Sequence, residues 1–210
     1  MSIYQKQSDQ QIEALKENIK VINYCLHYNK NNEQVYTDYT VPCLGYPAAI
    51  LLCSVIDTIG SFFRGSENTI QVGAETKKIE TASDHFMILN HDRLFNLNLS
   101  GKTILDFYST YRSKLTHNNS LPKNNFLIAD SASDQIFNLN TDDEIEVINL
   151  VALFKVVEST TNIFIHWLQY GKWSEEHKLT KELNQKAKND SVFIKNYGSD
   201  TGHTITKTSN

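Results

Sequence analysis

Apolar residues recur at three- and four-residue spacing through Ile12, Leu15, Ile19, Ile22 and Leu26, the interval that lines up side chains on one face of an α-helix. Ser8-Asp-Gln-Gln11 ahead of this run resembles a capping box, and Asn29-Lys-Asn-Asn32 after it offers turn chemistry. A surface helix is therefore predicted from Ser8 to about Asn29. The next run differs. From Tyr46 to Phe63 the chain is apolar almost without interruption, which predicts a central helix touching neighbours on most sides, with Pro47 at a first helical position. The run carries Asp57 and falls short of the roughly 20 apolar residues of a membrane span, so no contact with a membrane is expected.

Arg64 to about Glu80 is polar and predicts an exposed, mobile connection, either a lid or a solvated loop without a role. Phe86, Leu89, Leu94, Phe95 and Leu97 suggest a third helix. Ile104, Leu105, Tyr108, Tyr111 and Leu115 mark a fourth more clearly. Two short runs of strand formers, Phe126–Ala129 and Gln135–Leu139, flank Asp130–Asp134 and read as a small hairpin. Thr141 reads as the N-cap of a long apolar helix through Ile145 to Leu168, with Asp142, Asp143 and Glu144 in its first turn. A polar helix over 174–188 follows. The fold class expected is all-α, an antiparallel helical bundle with a small β-hairpin insertion, forming one domain over 1–195 with a disordered tail over 196–210.

Lys and Arg number 20 against 24 Asp and Glu, for a formal charge of -4. No global field draws a long nucleic acid across such a surface, so any nucleic-acid site is local. Cys25, Cys43 and Cys53 show no CxxC spacing and cannot all pair, which argues for reduced thiols. The polar stretch Met1–Gln11 lacks the profile of an export signal. A cytoplasmic protein without cofactor or metal is expected. No glycine-rich phosphate loop, Gly-x-Ser-x-Gly elbow or helix-turn-helix pattern is present, so nucleotide hydrolysis, serine-hydrolase chemistry and groove reading have no support.

The chemistry concentrates in Tyr111-Arg-Ser-Lys-Leu-Thr-His117. An arginine grips phosphate and a histidine moves protons near neutral pH, the two functions that phosphodiester cleavage needs. On an uninterrupted helix residues five apart lie about 140° around the axis and about 7.5 Å along it, so Arg112 and His117 cooperate only if the helix ends. Asn118-Asn119-Ser120-Leu121-Pro122 predicts that ending, because a residue before proline is pushed out of helical geometry. Asn118 adds a hydrogen-bonding group. The blander use of the same residues is an arginine paired to a carboxylate and a histidine that caps a helix.

An arginine, four intervening residues and a histidine at the end of a late bundle helix resemble the signature of the HEPN superfamily (higher eukaryotes and prokaryotes nucleotide-binding). The resemblance covers mainly residues 46–117. It implies an all-α bundle and, in many members, a metal-independent endoribonuclease of toxin, phage-defence or RNA-processing systems. On that footing His117 and Arg112 are the catalytic residues. His117 acts as general base on a ribose 2′-hydroxyl or general acid toward the leaving 5′-oxygen, and Arg112 stabilises the charged phosphorane. Where the family commonly has asparagine, aspartate or histidine after the arginine, this chain has Ser113, which still hydrogen-bonds. The resemblance further implies RNA as partner, a homodimer that brings two motifs to one cleft, and an antitoxin or regulatory protein as controller. Its rival is a catalytically silent HEPN-like module for dimerisation or for binding a nucleotide or protein.

Asp57, alone in an apolar helix, needs a partner or an exit to solvent. It either orients Arg112, as acidic or polar residues opposite the motif do in HEPN bundles, or bonds backbone and tyrosine hydroxyls. Tyr111 is placed to stack a base or bond a phosphate, whereas Tyr108 follows the apolar stripe into the core. Lys114 reads as solvated. His85 and His91, near Asp84 and Asp92, lack metal-ligand spacing, and His166 reads as a hydrogen-bonded core histidine.

Overall fold

The periodic amino-terminal segment forms helix α1 (Gln7–His27), which buries Ile12, Leu15, Ile22 and Leu26 along one stripe. The computed structural model describes residues 7–65 and 69–170. The helix predicted over 174–188 and the tail over 196–210 lie outside them. At the end of α1 the chain turns back through strands β1 (Tyr28–Asn29) and β2 (Gln34–Val35). Their turn is held by Asn29, whose Oδ1 accepts from the backbone N–H groups of Asn31 and Asn32 at 2.9 and 3.3 Å.

Helix α2 (Gly45–Ser61) is the hub. It packs against α1, against the carboxy-terminal helix α5 (Leu150–Tyr170), and against the two helical segments that carry the chemistry. Its apolar residues face the core on several sides, with Leu52, Val55, Ile56 and Ile59 fully buried. No helix among the described residues is long and apolar enough to cross a membrane.

The connection after α2 departs from expectation. In place of a mobile loop or lid over 64–80, strands β3 (Ile70–Val72) and β4 (Glu75–Lys77) pair as a hairpin. Gly73, at φ +60°, opens the two-residue turn that the strand twist favours. Ile70, Val72 and Ile79 supply the buried contacts that a reading of net polarity overlooked. The third helix is also shorter and tighter than predicted, a 3₁₀ helix over Ser83–Asn90. The chain then bends through Asn96 and Asn98 in the left-handed region. Asn90 stops the helix by donating to the carbonyls of Gln71 and Leu99 and accepting from the Leu99 N–H.

The motif helix has three parts. Helix α3 (Gly101–Asp106) is capped by the Ser100 hydroxyl, which accepts from the Thr103 N–H at 3.1 Å. A π-helical stretch over Phe107–Ser113 follows, and α4 (Lys114–Asn118) ends at Asn119, whose φ of 51° closes the helix in the left-handed region.

The hairpin predicted between Phe126–Ala129 and Gln135–Leu139 does not form. Strands β5 (Phe126–Ile128) and β6 (Phe137–Leu139) lie either side of β7 (Ile145–Asn149), parallel and antiparallel to it respectively. Ile145–Asn149 was expected as the first turns of a helix capped by Thr141. It is a strand because Asn140 makes the preceding turn, accepting from the Asp142 and Glu144 N–H groups at 2.8 and 3.0 Å, and because its β-branched residues suit a pleated surface. Asn149 begins α5 instead, accepting from the Val151 N–H. With three small sheets among the described residues, the fold is mixed α/β, which overturns the all-α bundle with a lone hairpin.

Candidate functional site

The π-helical stretch sends the adjacent residues Tyr111 and Arg112 to opposite surroundings. Tyr111 is fully buried. Its hydroxyl donates toward the carbonyls of Ile145 and Glu146 at 3.0 and 3.2 Å and accepts from Asn125 Nδ2 at 3.3 Å. Burial raises the phenol above its ordinary pKa. Alongside it, Asp106 accepts from the Thr110 hydroxyl and from the Ile145 N–H, both at 2.7 Å. This seam joins the motif helix to the sheet, and Tyr111 is not presented to a ligand. Tyr108, expected in the core, is the half-buried member of the pair.

Arg112 faces α2. Its Nη2 donates to Asp57 Oδ2 at 3.1 Å, and the other carboxylate oxygen accepts from His85 Nδ1–H at 2.6 Å. One carboxylate thus bridges a guanidinium and an imidazole, the three groups coming from three separate segments of the chain. The group opens toward solvent on the arginine side, with side-chain exposures of 30% for Arg112, 23% for Asp57 and 9% for His85. The guanidinium also lies 5.8 Å from the centroid of the Tyr108 ring, which Phe86 contacts edge-on at 5.6 Å.

Gly60 makes the arrangement feasible. A Cβ at that position would stand 2.2 Å from the His85 carbonyl oxygen, so only glycine lets the 3₁₀ helix approach α2 closely enough for His85 to reach Asp57 one turn earlier. At the start of that helix Asp84 Oδ2 accepts from the Thr81 N–H and hydroxyl at 2.8 and 2.7 Å. Cys53, a turn before Asp57, is buried. Desolvation pushes its thiol up to about 12 even though the nearby Arg112 favours the thiolate, so the sulfur is held as an unreactive thiol.

His117 and Asn118 are exposed in the last turn of α4, and Ser113 is half-buried at the end of the π-helical stretch. The helix therefore ends where the sequence predicts. No hydrogen bond or ion pair joins Arg112 to His117 among the described residues. Lys114 is exposed. His91 packs its ring 5.0 Å from Phe63. His166 stands against Tyr170 with a buried Nδ1 that lacks a hydrogen-bond partner, contrary to the bonded core histidine expected.

His85 is the residue that sequence reasoning missed, having weighed it only as a metal ligand. Two signals pointed to it: an acid in an apolar helix that needed a partner, and a glycine one turn later that allowed a close approach. Chemically, the cluster presents a fixed cation with most of its donors free among the described residues, and five residues on the same helical run ends with a solvent-facing imidazole. That combination suits a phosphate group. No family model, curated protein or solved structure matches the chain.

Proposed function

We propose that the chain is a HEPN-like, metal-independent endoribonuclease, with Arg112 and His117 as the reacting pair. The observation that supports this reading is the half-open Arg112, pinned through a single bond to Asp57 on a helix that stops just after a solvent-facing His117. The neutral imidazole takes the proton of a ribose 2′-hydroxyl, the 2′-oxygen attacks phosphorus, and Arg112 stabilises the charge that grows on the phosphoryl oxygens. The bond to the 5′-oxygen breaks, and an imidazolium supplies the proton to that oxygen. The products are a 2′,3′-cyclic phosphate and a 5′-hydroxyl, so DNA is spared. Base and acid are two imidazoles, which calls for a homodimer. Asn118 contributes a hydrogen bond at the same helix end. A cytoplasmic toxin or phage-defence role under an antitoxin or regulatory partner completes the reading.

The experiment is incubation of the purified chain with mixed RNA in excess chelator, with end-group analysis of the products and sedimentation of the protein alone. His117→Ala is expected to abolish cleavage while leaving helical content and the dimer intact. Cleavage retained by that variant would remove the assignment. A second reading, a catalytically silent HEPN-like dimerisation or nucleotide- or protein-binding module, is favoured by two observations: Asp57 pairs with Arg112, and no hydrogen bond or ion pair among the described residues joins Arg112 to His117. It is distinguished by binding without any cut RNA.

A further inference from the structure

A guanidinium carries five N–H donors in a planar fork, and a free carboxylate takes two of them in parallel. Asp57 takes one. Its Oδ2 accepts from Arg112 Nη2, while Oδ1 is occupied by His85 Nδ1–H at 2.6 Å, the shorter of the two bonds. The other Arg112 donors bond to nothing among the described residues. From this geometry we infer that His85 is a positioning residue: by holding Oδ1 it fixes the orientation of the Asp57 carboxylate, which then meets Arg112 at one point, and so keeps the remaining donors open for a bidentate grip on a backbone phosphate.

Three observations carry the inference. His85 is only 7% exposed, so its bond to Asp57 is sheltered from competing water. Gly60 is the device that admits it, since any side chain there would collide with the His85 carbonyl. The same 3₁₀ helix reaches the guanidinium by a second route, because Phe86 meets the Tyr108 ring that lies under Arg112. The Nε2 atom is buried without a partner. A bare lone pair there costs less than a buried N–H with no acceptor, and the Asp57 carboxylate only accepts, which places the ring hydrogen on Nδ1. The phosphate as ligand rests on the proposed RNA cleavage, whereas the hold on Arg112 is independent of it.

The test is side-chain nitrogen NMR of the full-length protein together with binding of an uncleavable 2′-O-methyl RNA oligonucleotide. In the wild type the His85 ring is expected as the Nδ1–H tautomer with a strongly hydrogen-bonded proton. The Nε2–H tautomer would overturn the inference without recourse to any variant. His85→Phe keeps the ring volume but releases the Asp57 carboxylate to turn and take a second Arg112 donor. It is expected to shift the Arg112 guanidinium signals, slow their rotation, and weaken oligonucleotide binding on the order of tenfold. His85→Asn, whose amide nitrogen takes the place of Nδ1, is expected to restore all three. Unchanged Arg112 signals in folded His85→Phe sink the inference, even if binding falls. If the wild type binds no oligonucleotide while the Arg112 signals still respond to Phe and recover with Asn, the positioning role stands and the RNA reading fails.

Discussion

Tyr111 and Arg112 are neighbours in sequence, yet they belong to two polar networks of opposite character on the two faces of one helix. On the sheet side the donors and acceptors close on one another: Tyr111, Asn125, Asp106 and Thr110 all find backbone, hydroxyl or carboxylate partners at 2.6–3.3 Å. On the α2 side one carboxylate holds a cation by a single bond and leaves its other donors toward solvent. A closed network satisfies buried groups and specifies how two elements dock. An open one keeps binding capacity unspent, which adds nothing to stability and is the mark expected of a ligand site.

The comparison breaks most sharply at Arg112. If the open side is the site, Arg112→Ala lowers RNA cleavage by roughly 10²–10³-fold, the usual loss when a donor to a developing oxyanion is removed. Its thermal midpoint stays close to wild type, because a half-exposed ion pair contributes little to stability. A collapse of stability with unaltered cleavage would mean that the two networks had been assigned the wrong way round.

Gly60→Ala tests the docking of the 3₁₀ helix on α2. The added methyl meets backbone at 2.2 Å, so a destabilisation of about 3 kcal/mol is expected in denaturant titration, at the upper end of overpacking costs. Loss of the His85–Asp57 bond accompanies it in the nitrogen spectra.

On the closed side, Tyr111→Phe removes one hydroxyl while Asn125 still bonds the Ile145 carbonyl at 2.6 Å. The expected cost is about 1–2 kcal/mol of stability, with cleavage unchanged. A cleavage defect in this variant would move Tyr111 into the site.

The smallest effect is in acid. Burial by itself would raise the Asp84 carboxyl, but hydrogen bonds from Thr81 and Glu80 outweigh it and hold the group below its ordinary value. A depressed carboxyl contributes stability above its unfolded pKa of about 3.9 and loses it as the pH falls through the folded value. Solvent screening keeps the contribution below about 1 kcal/mol. Thermal melts between pH 7 and pH 3 are expected to show a slightly steeper acid loss for the wild type than for Asp84→Asn.

Legibility in the sequence followed the range of the interactions involved. Helices α1 and α2, much of α5, and the stop near Asn119 were readable because a periodic stripe and local turn residues act within a few positions. The strands were misread. Ile145–Asn149 is too short to separate strand from helix by pattern, and its place between β5 and β6 depends on partners far along the chain. Arg112, His117 and Asp57 were singled out as candidates from residue type and setting. His85 was weighed only as a metal ligand, because no local pattern ties it to Asp57, 28 residues away.

What the linear chain determined by itself is therefore the set of helical faces, the place where the motif helix ends, and the presence of a charged group in an apolar helix that had to be matched. Tertiary structure decided between the two partners open to it and added His85, since Asp57 meets Arg112 and His85 only after α2, the 3₁₀ helix and the motif helix have packed. It also decided that Tyr111 is scaffold and Arg112 open, because the sheet packs on one side of the motif helix and α2 on the other. The physical reason is common to both. Local propensity acts on dihedral angles within a turn or two, whereas satisfaction of a buried polar group is settled by whatever the folded chain brings within about 3 Å.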